Sequence, residues 1–278
     1  MFKPGDEMIK IICLRLIYLV WLVFLTNCAS NTVNQSPSMY TKLGDMYAQA
    51  NHFSEAEDYY QKAQAYEPNK KSDVMLKLAE AQTQQGKFVQ AIQTYHRILL
   101  KEPHHHDARY RLARVYLVTG ELEAALSQYQ LLLQTNKEDY QALNGLGVLL
   151  DNLSQSSLAQ VCYSDGLKYA PHDYSLLNNL GISYSMSGKF TQANLLFDQA
   201  TKQSITTRPK ENQELVMRYY EKFKDPVIRQ QALKKSLLLK NITVSTSLIN
   251  SATDIAKKWC GSKEELATKL KKENPVVF

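Results

Sequence analysis

Residues 112–163 read LARVYLVTGELEAALSQYQLLLQTNKEDYQALNGLGVLLDNLSQSSLAQVCY, and the spacings inside this stretch decide the fold. Leu112-Ala113 and Leu146-Gly147 are the same pair of residue types set 34 apart. Ala125 and Ala159 lie 12 beyond each small residue, and Tyr129 and Tyr163 lie 16 beyond it. Working outward, the Leu-small pair recurs at Gly44, Ala79 and Gly181, with Ala56, Ala91 and Ala193 and then Tyr60, Tyr95 and Phe197 at the same offsets. The five small residues are separated by 35, 34, 34 and 34 residues. A recurrence at several positions with one period is the mark of a repeat architecture.

Each unit reads as two helices. The first carries the Leu-small pair and the second carries the alanine and the ring. Two small residues let the helix backbones approach, and the ring fills the space beside them. Gly86, Gly120 and Gly188 fall between the helices, where a left-handed residue ends the first one. Pro68, Pro103 and Pro171 follow the second helix and reset the chain. One hairpin alone cannot bury its apolar face, so the units must stack. Only 10 glycines in 278 residues argue against barrels, sandwiches and Gly-rich nucleotide folds.

These residues resemble the tetratricopeptide repeat, over about residues 37–207. Lys137 and Ile205 stand where a closing proline is usual, Gly166 replaces a small apolar residue, and one residue is inserted near Lys71. The resemblance implies an all-α, right-handed solenoid of five helical hairpins that works by binding other proteins.

Beyond Ile205 the pattern decays. Pro209 opens a helix through Lys224, and Asp225-Pro226 starts a second one to about Lys240; residues 208–240 read as a degenerate capping hairpin. Residues 241–278 read as a basic tail, without a firm period over 241–253 and with a short helix opened by Ser262 and Glu265.

The N-terminus is read apart from the fold. Leu16–Leu25 (LIYLVWLVFL) follows Lys10 and Arg15, the pattern of an export signal over residues 1–27, with Met8 an alternative start. Spanning a bilayer takes about 20 residues. Leu25-Thr26-Asn27-Cys28 resembles the lipobox of bacterial lipoproteins, with Cys28 the acylated residue. Asn27 departs from the small residue usual there, and an uncleaved signal anchor is the alternative. Ala29, by resemblance to such lipoproteins, implies the outer membrane rather than retention at the inner one. Residues 28–36 read as a flexible tether, placing the body in the periplasm.

Net charge is +1 over residues 1–27, −3 over 28–200 and +8 over 201–278. The nearly neutral body excludes broad nucleic-acid binding, and the basic excess belongs to the C-terminal third. No phosphate loop, nucleophile elbow or HExxH motif is present, and no cofactor, metal or small-molecule substrate is expected. His104-His105-His106 reads as a solvated turn between repeats rather than a metal site, because adjacent side chains do not converge. Cys162 and Cys260 remain after the signal and anchor. An oxidising compartment permits a bridge, yet Cys162 adjoins a core ring, where a buried free thiol is expected.

The first helices of successive repeats should line a concave groove. Tyr110, Arg111, Arg114, Asn144, Asn178 and Asn179 face it, offering donors to a peptide backbone or carboxylate. The Lys/Asn/Arg arrangement of chaperone-tail clamps is not reproduced.

Repeats four and five have further character: Ala142–Val148 (ALNGLGV) with Asp151, Tyr163, Gly166-Leu167, Ala170–Asp173 (APHD), Leu177–Tyr184 (LNNLGISY) and Ser187-Gly188. With the lipobox, these resemble the TadD family, lipoproteins of tight-adherence (Flp) pilus assembly. That implies a non-enzymatic outer-membrane scaffold of the pilus secretion machine, acting through its secretin. A pilotin-like factor of a type IV pilus or type II secretion system, and a regulator of cell-wall hydrolases, are the alternatives.

Overall fold

The computed structural model describes residues 37–66, 72–203, 206–223 and 245–261. The signal and tether, the second helix of the capping hairpin and the helix expected from Ser262 all lie outside the described residues. Among the described residues there are twelve helices and no strand. The ten repeat helices are α1 (Pro37–Gln49), α2 (Phe53–Tyr66), α3 (Ser72–Gln84), α4 (Phe88–Lys101), α5 (His106–Thr119), α6 (Leu122–Thr135), α7 (Tyr140–Asn152), α8 (Ser156–Tyr169), α9 (Tyr174–Met186) and α10 (Phe190–Gln203). They are followed by α11 (Arg208–Phe223) and α12 (Thr246–Trp259). The all-α hairpin class read from the sequence is therefore the observed one.

The helices pack into two compact units, one ending at Ala81 and the other beginning at Gln82. In the first, Tyr40, Ala56, Tyr60, Ala63, Val74, Leu78 and Ala81 form the core, with Tyr47, Ala48 and Tyr59 against it. Tyr60 donates to Asp45 Oδ1 at 2.9 Å, and Lys77 Nζ lies 2.7 Å from both oxygens of the same carboxylate.

In the second unit α5 to α11 pack in succession. Tyr95, Tyr129, Tyr163 and Phe197 are buried, as are Ala91, Ala113, Ala125, Ala159 and Ala193. Close approach explains the glycine on the first helix of repeats four and five. A Cβ at Gly147 would stand 2.5 Å from Tyr163 Cε1, and one at Gly181 2.8 Å from Phe197 Cε1. Both separations are shorter than carbon atoms tolerate, so the ring occupies the volume that the missing side chain leaves.

The turns repeat as regularly as the core. Gly86, Gly120 and Gly188 have φ of 74°, 82° and 73°, and Asn51 and Ser154 take the same left-handed position with φ of 61° and 62°. First helices of repeats three to five are N-capped at positions 34 apart. His105 Nδ1 accepts from Ala108 N, Asp139 Oδ1 from Gln141 N and Ala142 N, and Asp173 Oδ1 from Leu176 N. A side-chain acceptor there satisfies amides that no preceding turn can reach.

Two expectations are corrected. The segment read as lacking a period contains most of α12, capped by Ser245 and buried along Leu248, Ala252 and Ala256, a straight stripe at a spacing of four that Cys260 continues. It packs on α6, α7 and α8. The free-thiol expectation for Cys162 also fails, because Cys162 and Cys260 form a disulfide. The reason is visible on α8, where Leu158 to Tyr163 are all buried, the outer face included. A helix buried all round needs a cover beyond its repeat neighbours, and α12 supplies it. Gly261 N donates to Asp165 Oδ2 at 3.2 Å beside the disulfide.

Candidate functional site

The first helices α5, α7, α9 and α11 line a pocket of about 490 Å³ within the second unit. Its wall includes Tyr110, Arg114, Asn144, Asn178 and Asn179, five of the six residues expected to face the groove. Arg111 is half-buried and does not line it. The wall also holds Leu117, Val118, Tyr129, Val148, Asn152, Tyr174, Arg208 and Pro209. It contains no Asp, Glu, His, Cys or Lys, so no general acid–base pair and no activated nucleophile is assembled there.

An amide ladder crosses the floor. Asn212 Nδ2 donates to Asn178 Oδ1 at 2.8 Å, Asn178 Nδ2 to Asn179 Oδ1 at 3.4 Å, and Asn179 Nδ2 to Asn144 Oδ1 at 2.9 Å. Asn144, Asn178 and Asn212 are 34 apart and hold the same position in successive repeats. Asn179 therefore spends a donor on the neighbouring helix α7, while Asn178 accepts from α11 and donates within α9, so neither side chain is wholly available to a ligand. Asn212 escaped the sequence reading, although its spacing from Asn178 marks it. It also shows that α11 keeps the repeat register after the sequence pattern decays.

At the other end, the ring of Tyr110 is stacked on His106 with centroids 6.4 Å apart, and the Arg114 guanidinium lies 5.8 Å from the Tyr110 centroid. Burial pushes the Tyr110 hydroxyl above its usual pKa. Beneath them the Tyr129 hydroxyl is buried and has no hydrogen-bond partner. Its ring carbons stand where a Cβ on Gly145 would be, at 2.2 Å, so Gly145 of repeat four is small to admit Tyr129 of repeat three. The equivalent Tyr163 donates to Asp151 Oδ2 at 3.0 Å, and Ser183 Oγ donates to Asp151 Oδ1 at 2.9 Å. Burial pushes the Asp151 carboxyl above the ordinary carboxylate range, against the pull of hydrogen bonds from Ser156, Ser183 and Tyr163.

The histidine run is more structural than a solvated turn. His104 is exposed, His105 caps α5, and His106 Nε2 meets Asp139 Oδ2 at 2.7 Å while its Nδ1 lies 3.2 Å from Asp107 Oδ1. Among the described residues no three His, Cys, Asp or Glu side chains converge as a metal set. Likewise among the described residues, no helix is long and apolar enough to cross a membrane.

Residues 47–103 and 83–146 match a tetratricopeptide-repeat family model. Among solved structures, TTC0263, a thermophilic TPR protein of Thermus thermophilus, is similar at a TM-score of 0.59 and 15% identity, over 66% of this chain and 99% of that one. MamA from Desulfovibrio magneticus RS-1 gives a TM-score of 0.49 and 18% identity, over 60% of this chain and 94% of that one. The first likeness shows a shared helical-repeat fold; the second is too loose to bear on function. No curated protein matches the sequence. Residues 47–146 are thus similar to tetratricopeptide repeats, a fold that typically presents a surface to other proteins.

Proposed function

We propose that this chain is a non-enzymatic scaffold, held by lipid on Cys28 at the periplasmic face of the outer membrane, that supports assembly of a tight-adherence (Flp) pilus or a related secretion machine. The observation that carries the scaffold reading is the pocket on α5, α7, α9 and α11, which has hydrogen-bonding groups and apolar walls but no reactive pair. Its size falls within the range of about 300–1,000 Å³ typical of binding sites. Export is supported by the signal-like segment before Cys28 and, independently, by the Cys162–Cys260 disulfide, since such bonds persist in oxidising compartments. The pilus assignment rests on the resemblance in repeats four and five, the repeats that contribute α7 and α9 to the pocket. In this reading the partner is the secretin, whose ring the scaffold helps to assemble.

The test is a host strain carrying Arg114→Glu together with Arg208→Glu. Lipidation, followed by radioactive palmitate, and the melting midpoint should be unchanged, while surface pili fall sharply and secretin multimers are lost on mild gels. Normal pili with altered cell-wall turnover would favour a regulator of cell-wall hydrolases and contradict the assignment. A Cys28→Ser chain that still takes up palmitate would contradict the anchor.

A further inference from the structure

We infer that the pocket on α5, α7, α9 and α11 selects an acidic side chain of its partner, seated between Arg114, Arg208 and the Tyr129 hydroxyl with an apolar neighbour against Val118 and Val148. This rests on the reading of the pocket as a partner-binding groove and names the chemistry that it recognises.

The repeat register makes the argument. Core tyrosines in repeats one and four each have an acid from their own first helix: Asp45 for Tyr60 and Asp151 for Tyr163. Asp45 lies one residue beyond the small residue of its repeat, and Asp151 lies four beyond. At the same two offsets repeat three has Arg114 and Leu117. The acceptor is thus missing and a cation stands in its place. A buried hydroxyl without a partner is costly to leave, and an acceptor brought by a ligand removes that cost.

The surrounding charges point the same way. Neither Arg114 nor Arg208 forms an ion pair with a described residue, and the lining contains no carboxylate that would compete. The amide ladder gives the Asn144 Oδ1 to Asn179, leaving the Asn144 Nδ2 as a donor at the groove. Burial raises the Tyr129 pKa, so its hydroxyl stays a neutral donor. Guanidinium groups bind carboxylates through paired hydrogen bonds. A peptide is favoured over a free anion because Leu117, Val118, Val148 and Pro209 supply apolar wall that an inorganic ion would leave empty.

The probe is a synthetic decapeptide library with every position randomised, captured on the purified full chain and sequenced by mass spectrometry. Bound peptides should be enriched in Asp or Glu next to an aliphatic residue, and replacing that acid by its amide should weaken binding at least about tenfold. Tyr129→Phe should weaken the same peptide about fivefold while raising the melting midpoint, a pairing that a purely structural hydroxyl cannot give. The exposed Arg114→Gln should reproduce the loss without changing the midpoint. Retention of peptides with no acidic preference, or unchanged binding by both variants, overturns this inference alone. Inorganic phosphate binding as tightly as the peptide also overturns it. Retention of no peptide of any kind overturns the partner-groove reading itself.

Discussion

His106 Nε2 lies 2.7 Å from Asp139 Oδ2, so the first helix of repeat three is tied to the N-cap of the first helix of repeat four. Asp139 serves both helices, because its other oxygen caps α7. Two repeats are coupled through one carboxylate.

That coupling predicts a pH dependence. Burial opposes charge on His106, but the hydrogen bonds to Asp139 and Asp107 outweigh it and raise its pKa above the ordinary 6.5. The folded state then holds the proton more tightly than the unfolded chain. Its contribution to stability is full below about pH 6.5 and is lost as pH rises through the raised value. Urea midpoints measured from about pH 5.5 to 8.5 should fall with rising pH, and His106→Gln should flatten that slope. An equal slope in the variant would contradict the coupling.

Gly147→Ala should destabilise, although alanine is the better helix former by about 1 kcal/mol. The new Cβ meets Tyr163 at 2.5 Å, and the ring is held in place by Asp151. Overpacking costs about 1–3 kcal/mol, and nearest-neighbour coupling passes the damage to adjoining repeats. Thermal melting followed by circular dichroism should show a lower midpoint; a higher one would contradict the packing.

Cys260→Ser should release α12 from α8 while leaving the repeat hairpins helical. The cross-link closes a separation of 98 residues, and native disulfides of this kind contribute about 2–5 kcal/mol. Limited proteolysis should cut within residues 245–261 in the variant and spare them in the oxidised parent. Equal resistance in both would show that α12 is held by its apolar stripe alone.

The repeats were legible because three residue types recur at fixed offsets in five units, and a packing rule links them. Gly147 beside Tyr163 follows directly from that pattern. The C-terminal helix was not legible, because its buried stripe of Leu248, Ala252 and Ala256 contains one large apolar residue and its seat is almost a hundred residues away. Asn51 and Ser154 hid the left-handed turns of repeats one and four, since neither is glycine. In the pocket, the residues facing the groove followed from helical spacing. Which of them are spent on neighbours, as Asn178 and Asn179 are, depends on contacts between repeats that spacing does not specify.

The account centres on a partner held over α5, α7, α9 and α11, and a photo-crosslinking residue at Val118 in the living host tests this most directly. Val118 is 67% exposed on the pocket wall, and Leu100, 82% exposed on α4 outside the pocket, is the control position. The account predicts that irradiation joins the Val118 variant, and not the Leu100 variant, to the secretin, and that Arg114→Glu abolishes the product. Equal products from both positions, or capture of a cell-wall hydrolase at Val118, would contradict it.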